Sequence, residues 1–286
     1  MSKSKTERPF IYIAAIFFIC FVFRYIEYIV IQTDRGIIGE AVIHKLLGMV
    51  VMAVALVLLR TKWNEIGFKR EHAAKSIIQG LIIGALAFAL AYGTEMILLT
   101  IQNQKPTLEL YVTAYSIDGN IGKNTGAGFF LMCISGNIIN VIMEEGIFRG
   151  LYLNLLEKKH SFVKSAVISS LMFGLWHVMA PLRSYLEGNM RFSSLIMACL
   201  MQIVTTALMG FMLCMLAKNS NNLYSAMAVH FVNNTIVNIL HVVGENAADS
   251  MQFVRITIAQ TLTFILVLIL FIRNKKRAGL AAQDKQ

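Results

Sequence analysis

The stretch "NIINVIMEEGIFRGLYLNLL", residues 137–156, places two adjacent carboxylates and an arginine inside an apolar run. The three groups are Glu144, Glu145 and Arg149. Whether this helix belongs to a soluble core or to a membrane decides the fold. A charged side chain deep in a bilayer costs about 2.5 to 3.5 kcal/mol on insertion scales, so such a group faces protein or water and raises a functional question.

The rest of the chain answers for a membrane. Its 286 residues are 57% hydrophobic and only 15% charged, with a mean hydropathy of +0.63. A soluble domain of this length needs far more charged surface. Apolar runs of about 18 to 25 residues recur, the length that crosses the hydrocarbon of a bilayer. They fall near 10–31, 40–60, 76–101, 127–156, 163–181, 193–216, 222–242 and 252–272. The expected fold is all-α: a polytopic membrane protein of about eight transmembrane helices enclosing an intramembrane polar cavity. One integral membrane domain spans 1–286, with a motif-bearing core at about 127–242 and a basic cytoplasmic tail at 273–286. The first span is too long for a cleavable signal and lacks a small-x-small site, so it reads as a retained anchor.

A net charge of +10 raises the question of nucleic acid, and the distribution answers it. Eight spans put both termini on one side. Seventeen of the 26 Lys and Arg, among them Lys3, Lys5, Arg8 and Lys285, then fall on that side, seven on the other, and Arg24 and Arg149 in the membrane. This asymmetry fits the positive-inside rule, with the termini cytoplasmic and the basic excess facing lipid headgroups. Cys20, Cys133, Cys199 and Cys214 lie within spans and read as small hydrophobes. The segment 61–77 suits a helix in the headgroup region, and 102–126 is an outer loop rich in turn formers. Gly80 with Gly84, and Gly146 with Gly150, have the spacing of close helix packing.

The deep polar residues can be placed by helical geometry. Glu145 and Arg149 are four apart and can pair, whereas Glu144 points about 100° away, on the side of Asn137 and Asn140. Phe173 and His177 are four apart on the fifth span. His230, Asn234, Asn238 and His241 form a stripe on the seventh. Glu144, His177, His230 and Asn234 all fall roughly 12 to 21 Å below the cytoplasmic face. Three helices thus bring a carboxylate, two imidazoles and an amide to one level. Arg24 and Glu27, three apart, read as a pair with each other, and Glu95 as interfacial. Each of these residues also has a structural reading, as an ion-pair cluster or as interhelical hydrogen bonds.

A carboxylate with two histidines can activate water, the imidazoles holding a metal or polarising a carbonyl. An asparagine amide can donate to the oxyanion. Other protease chemistries fit less well. There is no H-E-x-x-H and no G-x-S-x-G, and Asp118 has no partner aspartate on another span. Two other readings compete: an ion-coupled transporter, since buried carboxylates and histidines also mark ion paths, and a non-catalytic immunity or regulatory partner.

"EEGIFR" (144–149), "FGLWH" (173–177) and "HFVNN" (230–234), in this order on separate spans, resemble the E-E-x-x-x-R, F-x-x-x-H and H-x-x-x-N/D motifs of the CPBP family. These are the CAAX prenyl endopeptidase and bacteriocin-processing proteins, also called Abi. The resemblance implies an intramembrane endopeptidase in which Glu144 activates water. His177 is a second member of the site, and His230 and Asn234 hold the oxyanion or the substrate carbonyl. Glu145 and Arg149 are the supporting pair, and Phe173 a cavity wall. The family is often called metal-dependent; zinc, if bound, would lie near Glu144, His177 and His230, although two histidines and an asparagine make a poor zinc set. The implied partners are the bilayer and a membrane-embedded or lipidated substrate, with no nucleic acid. The short soluble parts and small loops suit a bacterial plasma membrane, and bacteriocin self-immunity is among the roles linked to the family.

Overall fold

Nearly every apolar run of the sequence is helical in the computed structural model, which describes residues 9–35, 41–116, 119–245 and 247–283. Lys3, Lys5, Arg8, Asp118 and Lys285 lie outside those residues. The first helix, α1 (Pro9–Tyr25), opens on a proline, whose missing N–H costs nothing there. It continues through a π-helical stretch, Ile26–Ile31. Next come α2 (Ile43–Leu59), α3 (Ala73–Ile101) and α4 (Ala127–Glu145). A second π-helical stretch, Gly146–Tyr152, joins α4 to α5 (Leu153–Glu157). Then follow α6 (Phe162–Trp176), α7 (Met179–Leu186), α8 (Phe192–Ser220), α9 (Tyr224–Ile239) and α10 (Gln252–Gln283).

Among the described residues, six helices are long and apolar enough to cross a membrane: Pro9–Ile31, Ala73–Ile101, Ala127–Glu157, Phe162–Leu186, Phe192–Ser220 and Gln252–Arg277. The second and seventh expected spans are shorter helices. Ile43–Leu59 is apolar but shorter. Tyr224–Ile239 is a 16-residue helix that carries His230, Asn234 and Asn238. It packs inside the bundle against α3 and α4, so its polar stripe meets protein. α10 runs on without a break from the membrane span through the basic segment to Gln283.

Small residues set the position of α9. A Cβ on Gly80 would lie 2.5 Å from the Ser225 carbonyl and 2.7 Å from the Ala228 Cβ, and one on Gly84 would meet Val232 at 2.9 Å. The opposite side of α3 shows Leu86, Leu90 and Ile97 to the surroundings, each about three-fifths exposed, as suits a lipid-facing surface. We expect Gly80→Val to destabilise the fold by about 1 to 3 kcal/mol through overpacking at backbone. Thermal unfolding in detergent reads this; an unchanged midpoint would contradict the close approach of α3 and α9.

Two connections differ from expectation. Residues 61–72 form turns and no helix. Gly67 there has φ +100°, which favours glycine, and its carbonyl accepts from the Leu223 N–H at 3.0 Å. The 102–126 loop holds strands. β1 (Thr107–Leu110) pairs antiparallel with β4 (Leu240–Val243), which ends α9, and β2 (Val112–Ser116) pairs with β3 (Gly119–Asn124).

His241, the last residue of the polar stripe, is fully buried in β4. Its Nδ1 lies 2.6 Å from the Asp249 carboxylate, its Nε2 3.0 Å from the Tyr111 carbonyl, and its ring stacks on Tyr111. Arg255 donates to Asp249 at 2.8 Å and to Glu95 at 2.7 Å. Burial pushes the Asp249 carboxyl up, but hydrogen bonds from His241 and Arg255 outweigh it and hold the group below its ordinary value. A depressed carboxyl adds stability above its unfolded value, lost as pH falls through the folded one. Hydrogen exchange in Leu240–Val243, corrected for its intrinsic pH dependence, is therefore expected to quicken below about pH 4. Protection unchanged down to that range and below it would contradict the clasp.

Candidate active site

Glu144 is the last residue but one of α4 and is 2% exposed. Its Oε1 accepts the Trp176 indole N–H at 2.8 Å and faces Arg24 Nη1 at 3.5 Å. Its Oε2 accepts from Asn140 Nδ2 at 3.3 Å and faces His230 Nε2 at 3.6 Å. One oxygen is thus fixed by α1 and α6, and the other is turned toward α9. His177, His230, Arg24 and Lys45 are the ionisable groups that surround this carboxylate.

Glu145 faces the other way, as helical spacing predicts. Its Oε1 lies 3.1 Å from Arg149 Nη1 and 2.7 Å from His230 Nδ1. A ring nitrogen that faces a carboxylate carries the proton on that side, so Glu145 orients the imidazole and aims Nε2 at Glu144. Arg149 also lies over the Phe173 ring, 3.9 Å from its centroid. The Phe173 ring in turn meets the rings of His177 and His230 edge-on, at 4.6 and 6.0 Å.

His177 terminates α6. Its Nδ1 is 2.8 Å from the Phe173 carbonyl, four residues back, and the side chain is half-buried. Asn234 is half-buried as well, and its side-chain oxygen accepts from Asn233 at 3.0 Å. The structure thus brings Glu144, Glu145, Arg149, Phe173, His177 and His230 together, with Asn234 one helical turn beyond His230.

The π-helical stretch starts at the residue after Glu145, and such bulges recur at functional sites. The chain is pressed tightly there. A Cβ on Gly146 would lie 2.6 Å from Met52 Sδ, and one on Gly150 2.9 Å from the Ile66 carbonyl. Gly210 admits α8 to the same place, since a Cβ would be 3.1 Å from Arg149 Nη2.

Two residues at Glu144 escape a spacing argument. Arg24 does not pair with Glu27. The Glu27 carboxylate caps the start of α2, accepting the Ile43 N–H at 2.9 Å and the His44 N–H at 2.5 Å, with His44 Nδ1 at 2.6 Å and the Thr33 hydroxyl also bound. Four orphan N–H groups at a helix start compete strongly for a carboxylate. Trp176 lies within the quoted "FGLWH", one residue before His177. Its signal was an indole N–H, which needs a partner when buried. Of the two asparagines expected beside Glu144, Asn140 reaches it, but Asn137 bonds the Cys133 carbonyl instead at 3.1 Å.

The donor set does not suit a metal. Among the described residues no group of three His, Cys, Asp or Glu side chains converges as ligands. The Glu144 oxygens are held by Trp176 and Asn140, and His230 Nδ1 by Glu145. The expected zinc position near Glu144, His177 and His230 therefore lacks a ligand sphere, and no step is routed through a metal. What the residues offer is a fixed carboxylate oxygen beside an oriented imidazole and an amide donor, the parts needed to activate water and hold a carbonyl.

Residues 126–236 match the family model described as type II CAAX prenyl endopeptidase Rce1-like. No curated protein and no solved structure matches the chain. The matched segment holds all three motifs and lies among apolar helices of membrane-crossing length, and this likeness over 126–236 supports membership of the CPBP family of CAAX-type membrane proteases.

Proposed function

We propose that the protein is an intramembrane endopeptidase that hydrolyses a peptide bond with water activated by Glu144. The observation that carries this reading is the position of Glu144 Oε2. It lies 3.6 Å from His230 Nε2, while Oε1 is held by Trp176 and Arg24. Water between Oε2 and a scissile carbonyl gives its proton to Glu144, and its oxygen attacks the carbonyl carbon. Asn234 holds the carbonyl oxygen as it becomes an oxyanion, joined by His230 when Nε2 as well as Nδ1 carries a proton. The C–N bond then breaks, and Glu144 returns the proton to the leaving amine. The products are a carboxylate and an amine. His177, with Nδ1 bound to the Phe173 carbonyl, turns Nε2 toward the same water. Glu145 and Arg149 hold His230, and Phe173 walls the site.

The substrate is a membrane-embedded or lipidated peptide, since the reactive groups lie within apolar helices. The bilayer is the bacterial plasma membrane; with Ile43–Leu59 and Tyr224–Ile239 crossing it beside the six longer helices, the asymmetry of Lys and Arg puts both termini in the cytoplasm. A single membrane domain with a catalytic core at about 127–242 fits the placement of the three motifs.

Incubation of the purified protein with a peptide pool tests this reading. The pool contains prenylated and plain C-terminal peptides and leader peptides, and mass spectrometry reads the products with and without strong chelator. Products in both conditions are expected. No product from any peptide would overturn the protease reading, and loss of products in chelator would overturn the metal-independent route.

A further inference from the structure

The segment matched by the family begins at residue 126, yet a contact to Glu144 comes from the first helix. We infer that Arg24 is a positioning residue of the site, extending it onto α1 by holding Glu144 Oε1 and balancing its buried charge. The inference rests on Glu144 being the base.

Arg24 is 7% exposed, and Nη1 lies 3.5 Å from Glu144 Oε1. Its guanidinium stacks over two rings, 4.5 Å from the Trp176 centroid and 5.0 Å from that of Tyr28. Trp176 donates to the same Glu144 oxygen, so one aromatic residue both carries the arginine and binds its target. His44 completes the sleeve, with ring centroids 5.8 Å from Trp176 and 5.2 Å from Tyr28. The nearby acid, Glu27 in the π-helical stretch after α1, is bound to the start of α2 and to His44. The charge of Arg24 is therefore directed at Glu144. A planar cation suits this slot because it stacks on the rings while bringing its charge to the carboxylate, which a lysine ammonium does only in part.

The role follows from the asymmetry of the carboxylate. A base works best with one oxygen fixed and the other free to take a proton. The indole N–H is a neutral donor, so the positive charge at Oε1 comes from Arg24. Without it, Oε1 keeps only the neutral indole donor, Lys45 is the remaining permanent cation around the carboxylate, and the geometry of Glu144 loosens.

Two measurements test the inference. The first is kinetic, on whichever pool peptide the wild type cleaves. R24M is expected to lower kcat about 10- to 100-fold, as loss of a supporting contact does, with KM within about threefold; R24K is expected to recover part of kcat. An unchanged kcat, or a fall in kcat/KM carried by KM alone, would overturn the inference. The second needs no substrate and decides the case even if the protease reading fails. R24M and E144Q are combined, and thermal unfolding is followed in detergent. R24M is expected to lower the midpoint by about 5 °C or more in the wild-type background, from loss of a partner to a buried charge. In the E144Q background the loss should largely vanish. R255M, which breaks the buried pair with Glu95 far from this site, should act equally in both backgrounds. Equal losses from R24M in both backgrounds would mean that Arg24 only packs against Trp176, and would overturn the inference.

Discussion

Replacing Glu144 by glutamine is expected to cut peptide hydrolysis by about 10³- to 10⁴-fold, the range for removing a general base that acts as part of a unit. Glutamine keeps the shape, and its side-chain oxygen can still accept the Trp176 N–H seen at 2.8 Å. What it loses is the ability to take a proton from water at Oε2. Substrate binding uses other groups, so the loss should fall on kcat. The variant should still fold, because Asn140, Trp176 and His230 surround a side chain of the same size. Cleavage by the E144Q protein, assayed against wild type on the same peptide, checks this. Activity within tenfold of wild type would remove Glu144 from the reaction.

Breaking the pair behind the site should have the largest effect on stability. Glu145 and Arg149 are both essentially excluded from solvent, with Oε1 and Nη1 3.1 Å apart. Removal of one member of a buried pair costs about 3 to 5 kcal/mol, because the other is left as an uncompensated charge. Arg149→Met would leave Glu145 with His230 alone and would also take the cation off the Phe173 face. We expect a thermal midpoint lowered by about 6 to 20 °C, from the conversion for chains of this size. Adding Glu145→Gln to Arg149→Met should recover part of that loss, since neither charge then remains. A double variant less stable than Arg149→Met alone would contradict the pairing.

Most of the architecture was legible because membrane helices are written in long apolar runs. The first, third, fourth, fifth, sixth and eighth expected spans appear as membrane-length helices. The seventh did not read cleanly because its polar stripe faces protein, and hydropathy cannot tell a buried helix from a lipid-facing one. The pairing of β1 with β4 was hidden because its partners are 130 to 136 residues apart, and local turn chemistry carries no trace of that partner. At the site, contacts four residues apart were readable: Glu145 with Arg149, Asn140 with Glu144, and His177 with the Phe173 backbone. Contacts between helices were readable only as a shared depth. Arg24 shows the limit. Spacing favoured Glu27, three residues away, but the open start of α2 claimed that carboxylate and left the arginine to Glu144.

The central claim is that water activated by Glu144 opens a peptide bond inside this bundle. A single-turnover cleavage in water enriched in ¹⁸O, followed by mass spectrometry of the new C-terminus, tests it most directly. The account predicts one ¹⁸O atom in the new carboxylate from wild type and no product from E144Q on the same time scale. Product from E144Q at the wild-type rate, or a new C-terminus without ¹⁸O, would contradict it.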